Sequence, residues 1–205
     1  MRNLILFNAV FMGTLYGIVN LRSSMLSEMN VPEQYFGIIF AILQLVAALA
    51  TRQTDKIHNN LRNKTLTYLG IPLVLSCIGI GLIGQDRLSY SSLILIVLLF
   101  AIQFAVKGPY LGLITRYLNN FTNRGIRPKI SALRYLTANL AIAIISLLCS
   151  GVLAITSTAN TFIIIGCLST VSMVILLDHM RGKVGLKPEE YEKEDIRYSI
   201  NRHKK

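Results

Sequence analysis

Charged residues are scarce in this chain, and long stretches of it have none at all. Only 15% of the 205 residues are Asp, Glu, Lys or Arg, whereas 53% are hydrophobic. Residues 3–21, 35–51, 65–84 and 135–177 carry no charge. A helix of about 20 mostly apolar residues crosses the hydrocarbon core of a bilayer. So many runs of this length exclude a soluble domain and indicate a protein that works in or across a membrane.

Regular alternation of polar and apolar positions is also missing from these runs. A transmembrane β-barrel requires such alternation, so the remaining way to satisfy the backbone in lipid is the α-helix. The predicted fold is therefore an all-α, polytopic membrane protein whose domain covers residues 1–177 and is followed by a charged cytoplasmic tail, 178–205. The six predicted transmembrane helices are residues 3–21, 35–51, 65–84, 91–113, 130–154 and 160–177.

The signatures of common catalytic sites are absent. The chain has no His-Glu-x-x-His, no Gly-x-x-x-x-Gly-Lys-Ser/Thr and no Gly-x-Ser-x-Gly. Its three cysteines form no Cys-x-x-Cys pair, and no Asp, Glu or His falls inside a predicted span. We therefore expect no catalytic residues, no metal and no cofactor, and the chain is not predicted to be an enzyme.

The positive charge of the chain, +11 in total, is concentrated in alternate loops. The loop after the second span, the loop after the fourth span and the tail are rich in Lys and Arg, whereas the other loops carry only Arg22 and Arg87. Cytoplasmic loops of membrane proteins show this excess. The pattern predicts a multi-pass protein of the cell (plasma) membrane with both termini in the cytoplasm, and it gives the basic residues a role in topology rather than in binding nucleic acid.

Residues 50–64 carry a recognisable loop pattern. Asp55 follows the second span, Lys56 stands beside it, and Arg62 and Lys64 precede the third span. This segment resembles the cytoplasmic loop motif Gly-x-x-x-Asp-Arg-x-Gly-Arg-Arg/Lys of the major facilitator superfamily (MFS), in its degenerate form from the second half of those proteins. Thr51 stands where the motif has its first glycine, so the match is partial.

Two further segments resemble the same superfamily. Residues 117–132 are basic, contain a proline and lead into a long helix, as before the eleventh helix of drug-exporter-like members. Residues 21–37 are similar to the external loop between the seventh and eighth helices. The resemblance implies an MFS-like half bundle, the C-terminal six-helix half of a secondary transporter that moves a small solute, with efflux as one direction.

The length of the chain has a consequence under this resemblance. Such transporters bind their substrate between two six-helix halves. A second six-helix half is therefore expected as a partner: a separate chain, an N-terminal half of a longer protein, or a second copy in a homodimer. The alternative left open is a membrane-integral assembly or binding subunit that has no transport activity of its own.

Polar side chains inside the predicted spans are the candidates for a substrate pathway, because they are costly in lipid and tend to face protein or water. An interhelical hydrogen bond is the competing explanation for the amides. The candidates are Asn8, Tyr16, Asn20, Gln44, Gln103, Lys107, Tyr110 and Asn139.

Lys107 is the most specific of these candidates. It precedes Gly108-Pro109, where a proline inside a helix predicts a kink. There it would bind an anionic substrate or titrate during transport. Two structural roles compete: its amine reaches along the flexible stem to the cytoplasmic interface, or it pairs with a carbonyl freed at the kink.

Overall fold

The computed structural model describes residues 1–85, 89–122, 124–180 and 184. Within those ranges the chain forms α-helices joined by short turns and three single 3-10 turns, without a β-strand. The helices are α1 (Arg2–Gly17), α2 (Val19–Glu28), α3 (Phe36–Thr51), α4 (Thr54–Leu61), α5 (Thr65–Ile83), α6 (Tyr90–Asn120), α7 (Arg127–Leu153) and α8 (Thr158–His179). The 3-10 turns are Glu33–Tyr35, Arg62–Lys64 and Arg124–Ile126.

Six helical segments of the described chain are long and apolar enough to cross a membrane, which confirms the predicted all-α architecture and the predicted number of long apolar helices. We number them segments one to six in chain order. They are Arg2–Glu28, Glu33–Thr51, Thr54–Ile83, Tyr90–Asn120, Arg127–Leu153 and Thr158–His179. The end of the bundle at which segment one begins is called the basic end here, because the two Lys- and Arg-rich loops also lie there.

Three boundaries differ from the sequence prediction. Segment one continues to Glu28, since Leu21, Met25 and Leu26 extend its buried apolar face. Segment four continues to Asn120 for the same reason, and the predicted loop at 52–64 contains the short helix α4. Of the predicted tail only residues 178–180 and 184 belong to the described part of the chain; the rest of the tail and Arg87 lie outside it.

The segments pair in a pattern with internal symmetry. Segment one packs against five and six, segment two against four, and segment three against four and six. If segment one is exchanged with four, two with five and three with six, the same set of pairs results. Successive segments alternate in direction, so segments one and four, which are three apart, run in opposite directions. The second set of three segments is therefore inverted relative to the first. The five pairs named here are the most extensive contacts, and they follow the pattern of two three-helix repeats of inverted orientation.

Glycines lie at two contacts that this exchange relates. Gly13 and Gly17 of segment one face segment five, where a β-carbon on Gly17 would lie 2.7 Å from Ile145 Cγ2. Gly108 of segment four lies against segment two, with no space for a β-carbon beside the backbone carbonyl of Ala47. Small residues at such contacts let two helix backbones approach closely.

Burial differs strongly between the segments. In the most apolar window of segment one 67% of the residues are buried inside the bundle, whereas the corresponding share is 11% in segments two and five. The exposed side chains of these two segments include large apolar residues such as Ile42, Leu45, Leu136 and Leu147. Segment one therefore forms the centre of the bundle, and segments two and five lie at its margin.

Candidate functional site

Arg22 is a deeply buried cation, with only 4% of its surface exposed. Its Nε donates a hydrogen bond to Gln103 Oε1 at 3.1 Å, and its Nη2 donates to the backbone oxygen of Leu15 at 2.8 Å. Its guanidinium carbon lies 5.2 Å from the centre of the Phe104 ring. The sequence analysis placed Arg22 in an external loop, and that placement is wrong.

The helix geometry around Arg22 explains the position of its guanidinium. Long side chains in a helix point back towards the helix N-terminus, and Arg22 reaches back seven residues to Leu15. Between them the chain breaks its helical ladder at Ile18, which separates α1 from α2 (φ −91°, ψ 8°). The guanidinium thus binds a carbonyl near the break, at a position that leaves the charge fully inside the bundle.

The guanidinium lies near the middle of two long helices. Leu15 is the central residue of Arg2–Glu28, and Gln103 lies two residues before the centre of Tyr90–Asn120. Gln103 is fully buried, and its Nε2 donates to Cys77 Sγ at 3.5 Å. A cation at the centre of a lipid-inserted helix costs about 2.5–3.5 kcal/mol on insertion scales. Neutral acceptors and an aromatic face stabilise this one.

Lys107 lies one helical turn from Gln103, on the same side of α6. Its Nζ donates to Gln44 Oε1 at 3.5 Å. The same nitrogen lies 5.1 Å from the centre of the Tyr16 ring and 5.3 Å from the centre of the Phe104 ring. Of the predicted pathway residues, the structure therefore brings Tyr16, Gln44 and Lys107 together.

The direction of the Lys107 side chain bears on the two structural roles that were predicted for it. Phe104 precedes Lys107 on a helix that runs towards the basic end, so an amine above Phe104 leans towards the middle of the bundle. The basic end lies the other way, 13 residues further along α6 at Asn120, or about 20 Å at 1.5 Å per residue. The side chain does not reach along its stem to that interface, and its hydrogen bond is to Gln44 rather than to a freed carbonyl. The helix itself continues through Pro109 as one element.

Two other predicted residues form a separate contact beside this group. The Tyr110 hydroxyl donates to Asn8 Oδ1 at 3.3 Å, and both residues are buried. The Tyr110 ring stacks on Phe11 with 3.5 Å between the ring centres. This contact is the interhelical hydrogen bond that the sequence analysis weighed against a pathway role, here between segments one and four.

Asn20 and Asn139 are both exposed. No side-chain hydrogen bond within the described ranges joins either of them to Lys107 or Arg22. We refer to the six residues that do meet at the middle of the bundle as the central polar cluster; they are Tyr16, Arg22, Gln44, Gln103, Phe104 and Lys107.

The predicted cytoplasmic loop motif forms a second group, at the basic end. Asp55 lies in α4 and pairs with Arg116 of α6, with 3.4 Å between Oδ1 and Nη1. Lys56, Arg62 and Lys64 are exposed. Arg62 ends α4 in a left-handed conformation (φ 44°), which is unusual for a residue with a side chain.

Arg134 is a third cation with little exposure (8%). Its Nη1 donates to Thr115 Oγ1 at 2.7 Å, and its guanidinium lies 4.5 Å from the centre of the Tyr135 ring. It ties the start of segment five to segment four near the basic end.

Counter-ions for these cations are not found within the spans. Asp55 pairs with Arg116 at the basic end, and in the described ranges no group of three His, Cys, Asp or Glu side chains has the spacing of a metal site. The described acids are Glu28, Glu33, Asp55 and Asp178, which lie at segment ends or in connections. The two cations at the middle of the bundle therefore have no acidic partner among the residues that the structure describes.

A sequence signal for the missed member of the cluster does exist. Leu21, Met25 and Leu26 continue the apolar face of segment one beyond Arg22 at helical spacing. Given that face, Arg22 is a charge within a helix rather than the end of one.

Comparison of the chain with protein-family models, with curated proteins and with solved structures finds no match.

Proposed function

We propose that the chain is one six-helix half of an MFS-type secondary transporter, which moves a small solute across the cell membrane. The observation that carries the proposal is the central polar cluster: Arg22, Gln103 and Lys107 meet at the middle of helices that are otherwise apolar. Ionisable groups at that depth are costly in a membrane and mark the paths of substrates and ions. The solute crosses without chemical change.

The pairing of the segments supports the same proposal. Each six-helix half of an MFS transporter contains two inverted repeats of three helices, and its substrate lies near the bilayer midplane. The exchange symmetry of the packing has this form. With an even number of spans, both termini lie on the same side of the membrane. Because the basic connections lie on that side, the proposal places both termini in the cytoplasm.

The exposure of Gln44 calls for a partner in this proposal. Gln44 is exposed and Lys107 is half-buried, so the face between segments two and four presents an amide and a cation. Lipid tails cannot hydrogen-bond to these groups, so a second six-helix half and water cover the face. The second half is a separate chain, another part of the same protein or a second copy of this chain.

A second candidate function is favoured by the basic end. Arg52, Lys56, Arg62 and Lys64 are exposed around α4, where a membrane-integral assembly subunit would hold an acidic partner. In that function the central polar cluster is a static packing feature that no solute reaches.

The two functions differ in whether a solute in water can reach the central polar cluster from each side of the membrane. A thiol-labelling experiment measures this access and does not require the substrate to be known. Gln44→Cys is introduced into a background in which Cys77 is replaced by Ser and Cys149 and Cys167 by Ala. A membrane-impermeant maleimide is applied to intact cells and, separately, to inside-out vesicles. A transporter that opens alternately to each side gives labelling in both preparations.

Val171→Cys on segment six is the matched control, because Val171 is exposed on the bundle but apolar. In the proposed transporter it faces lipid and stays unlabelled in both preparations. Labelling of Gln44→Cys in neither preparation would support the assembly subunit and contradict transport.

A further inference from the structure

Two cations of the central polar cluster share one aromatic ring. The guanidinium carbon of Arg22 lies 5.2 Å from the Phe104 ring centre and the Lys107 nitrogen lies 5.3 Å from it. The contacts of both cations are with neutral groups: they donate hydrogen bonds to amide oxygens and to a backbone carbonyl, and they lie against aromatic ring faces. The positive charge of the pair is stabilised by these contacts but is not cancelled.

The sequence supplies no compensating charge from elsewhere in the spans. All ten acidic residues of the chain lie at residue 28, 33, 55, 86 or from 178 onward. A buried charge pair of one sign is maintained at a cost unless a charge of the other sign joins it. No acid of the described part of the chain lies within the spans beside the pair, so an anion bound at this site would supply the missing charge.

Access to the pair runs through Lys107. Lys107 and Tyr16 are half-buried and Gln44 is exposed, whereas Arg22, Gln103 and Phe104 are buried behind them. A molecule on this face meets the Lys107 amine first, beside an amide that can donate a hydrogen bond and the Tyr16 and Phe104 rings. Arg22 contributes its field from behind the Phe104 ring.

We propose that Lys107 and Gln44, with Tyr16 and Phe104 as apolar walls, bind a small organic anion: one carboxylate or phosphate group on an apolar body. The ammonium and the Gln44 amide bind the anionic oxygens by charge-assisted hydrogen bonds, and the rings pack against the body. The proposal rests on the proposed function, since it names the substrate class of that same site.

Binding is tested on the full-length protein, purified with whatever partner accompanies it and placed in phosphatidylcholine nanodiscs. The probes are benzoate, inorganic phosphate, neutral benzamide and cationic benzylamine. The readout is the rate at which Ala48→Cys, an exposed position one turn from Gln44 on segment two, reacts with a maleimide, together with the thermal unfolding midpoint of the unmodified chain. Benzoate is expected to slow labelling and raise the midpoint in a saturable manner, while benzamide and benzylamine do neither.

Variants identify the residue responsible. Lys107→Met is expected to raise the apparent Kd for benzoate about ten-fold or more, and Lys107→Arg to retain most of the affinity because it keeps the charge. Lys129→Met removes an exposed cation at the basic end and should leave the Kd unchanged. An unchanged Kd in Lys107→Met, or equal effects of benzoate and benzamide, would overturn the proposal.

Lipid headgroups carry the same anionic chemistry, so a second set of nanodiscs contains phosphatidylglycerol. If this lipid protects Ala48→Cys and abolishes the effect of benzoate, the site holds a lipid headgroup and the solute proposal is wrong. If none of the anions binds while Gln44→Cys is still labelled from both sides of the membrane, transport stands and only the substrate class fails. If benzoate binds while labelling is confined to one side, the anion site stands and transport fails.

Discussion

At the scale of single residues, Arg22 shows how this chain holds a charge in its interior without an acid. The guanidinium is oriented by Gln103, by the carbonyl of Leu15 and by the Phe104 ring. Each contact comes from a neutral group, so the orientation of the cation depends on keeping all of them. Loss of the only side-chain acceptor among them leaves a buried N–H of a charged group without a partner.

Gln103→Leu is therefore expected to lower the free energy of unfolding by about 1–3 kcal/mol, the usual cost of an unsatisfied buried group. The measurement is the temperature at which half of the detergent-purified protein is lost from its monodisperse chromatographic peak. Combining Gln103→Leu with Arg22→Met should recover part of the loss, because both partners are then apolar. Gln34→Leu, at an exposed position, is the control, and a Gln103→Leu protein as stable as this control would contradict the assignment.

The sequence indicated some members of the cluster and not others for a physical reason. Gln103 and Lys107 stand out because polar residues inside an apolar run are costly, and their spacing of four places them on one side of a helix. Arg22 was missed because a charge after an apolar run normally ends a span. The aromatic Phe104 carried no signal, since an apolar residue in an apolar run gives no information on its neighbours.

At the scale of helices, close approach depends on the glycines of segments one and four. At Gly17 a β-carbon would lie 2.7 Å and 2.9 Å from two atoms of Ile145, a β-branched side chain with little freedom to move. The contact between segments one and five can admit a larger residue only by separating the two helices.

Gly17→Leu is expected to destabilise the bundle by about 1–3 kcal/mol, as overpacking of a close contact does. A lowered thermal midpoint in detergent measures the effect. Adding Ile145→Ala should restore part of the midpoint, because it removes the obstructing Cγ2 and leaves only Cβ in place. Gly151→Leu on segment five is the control, because nothing lies within 4 Å of the β-carbon built there. Equal midpoints for Gly17→Leu and Gly151→Leu would show that the two helices do not pack through Gly17.

The sequence predicted which residues form long helices but not how these helices pair. Length and hydropathy identify spans, because an apolar run of bilayer length has few other uses. Pairing is different: a lipid-facing side of a helix is as apolar as a side that faces another helix, so apolar periodicity does not separate them. The helix α4 was missed for a related reason, since its short polar sequence resembles that of a loop.

At the scale of the molecule, the weak burial of segments two and five sets an expectation about assembly. Both segments present large apolar side chains outward, and segment two also presents Gln44. In the proposed transporter this margin joins a second half of similar size.

The native particle is therefore expected to contain at least twice the 22.9 kDa of this chain. Source membranes are solubilised in a mild detergent, and the particle is detected by light scattering and by an antibody against residues 183–205. A denaturing gel then separates the possibilities: a band near twice the mass means that both halves share one polypeptide, and a band at 22.9 kDa means separate chains. A native particle with the mass of a single chain would contradict the requirement for a second half.

The pairing of segment one also determines when the bundle can close. Its main partner, segment five, begins at Arg127, and its other partner, segment six, is the last to be made. In a chain inserted helix by helix during synthesis, the most deeply buried of the six segments thus enters the bilayer before the segments it packs against. Until the later segments are made, three polar side chains of segment one lack their hydrogen-bond partners. The pairs are Asn8 with Tyr110, Thr14 with Ser169 and Arg22 with Gln103. We therefore expect a chain arrested before segment four to expose these groups and to be a substrate for membrane quality control.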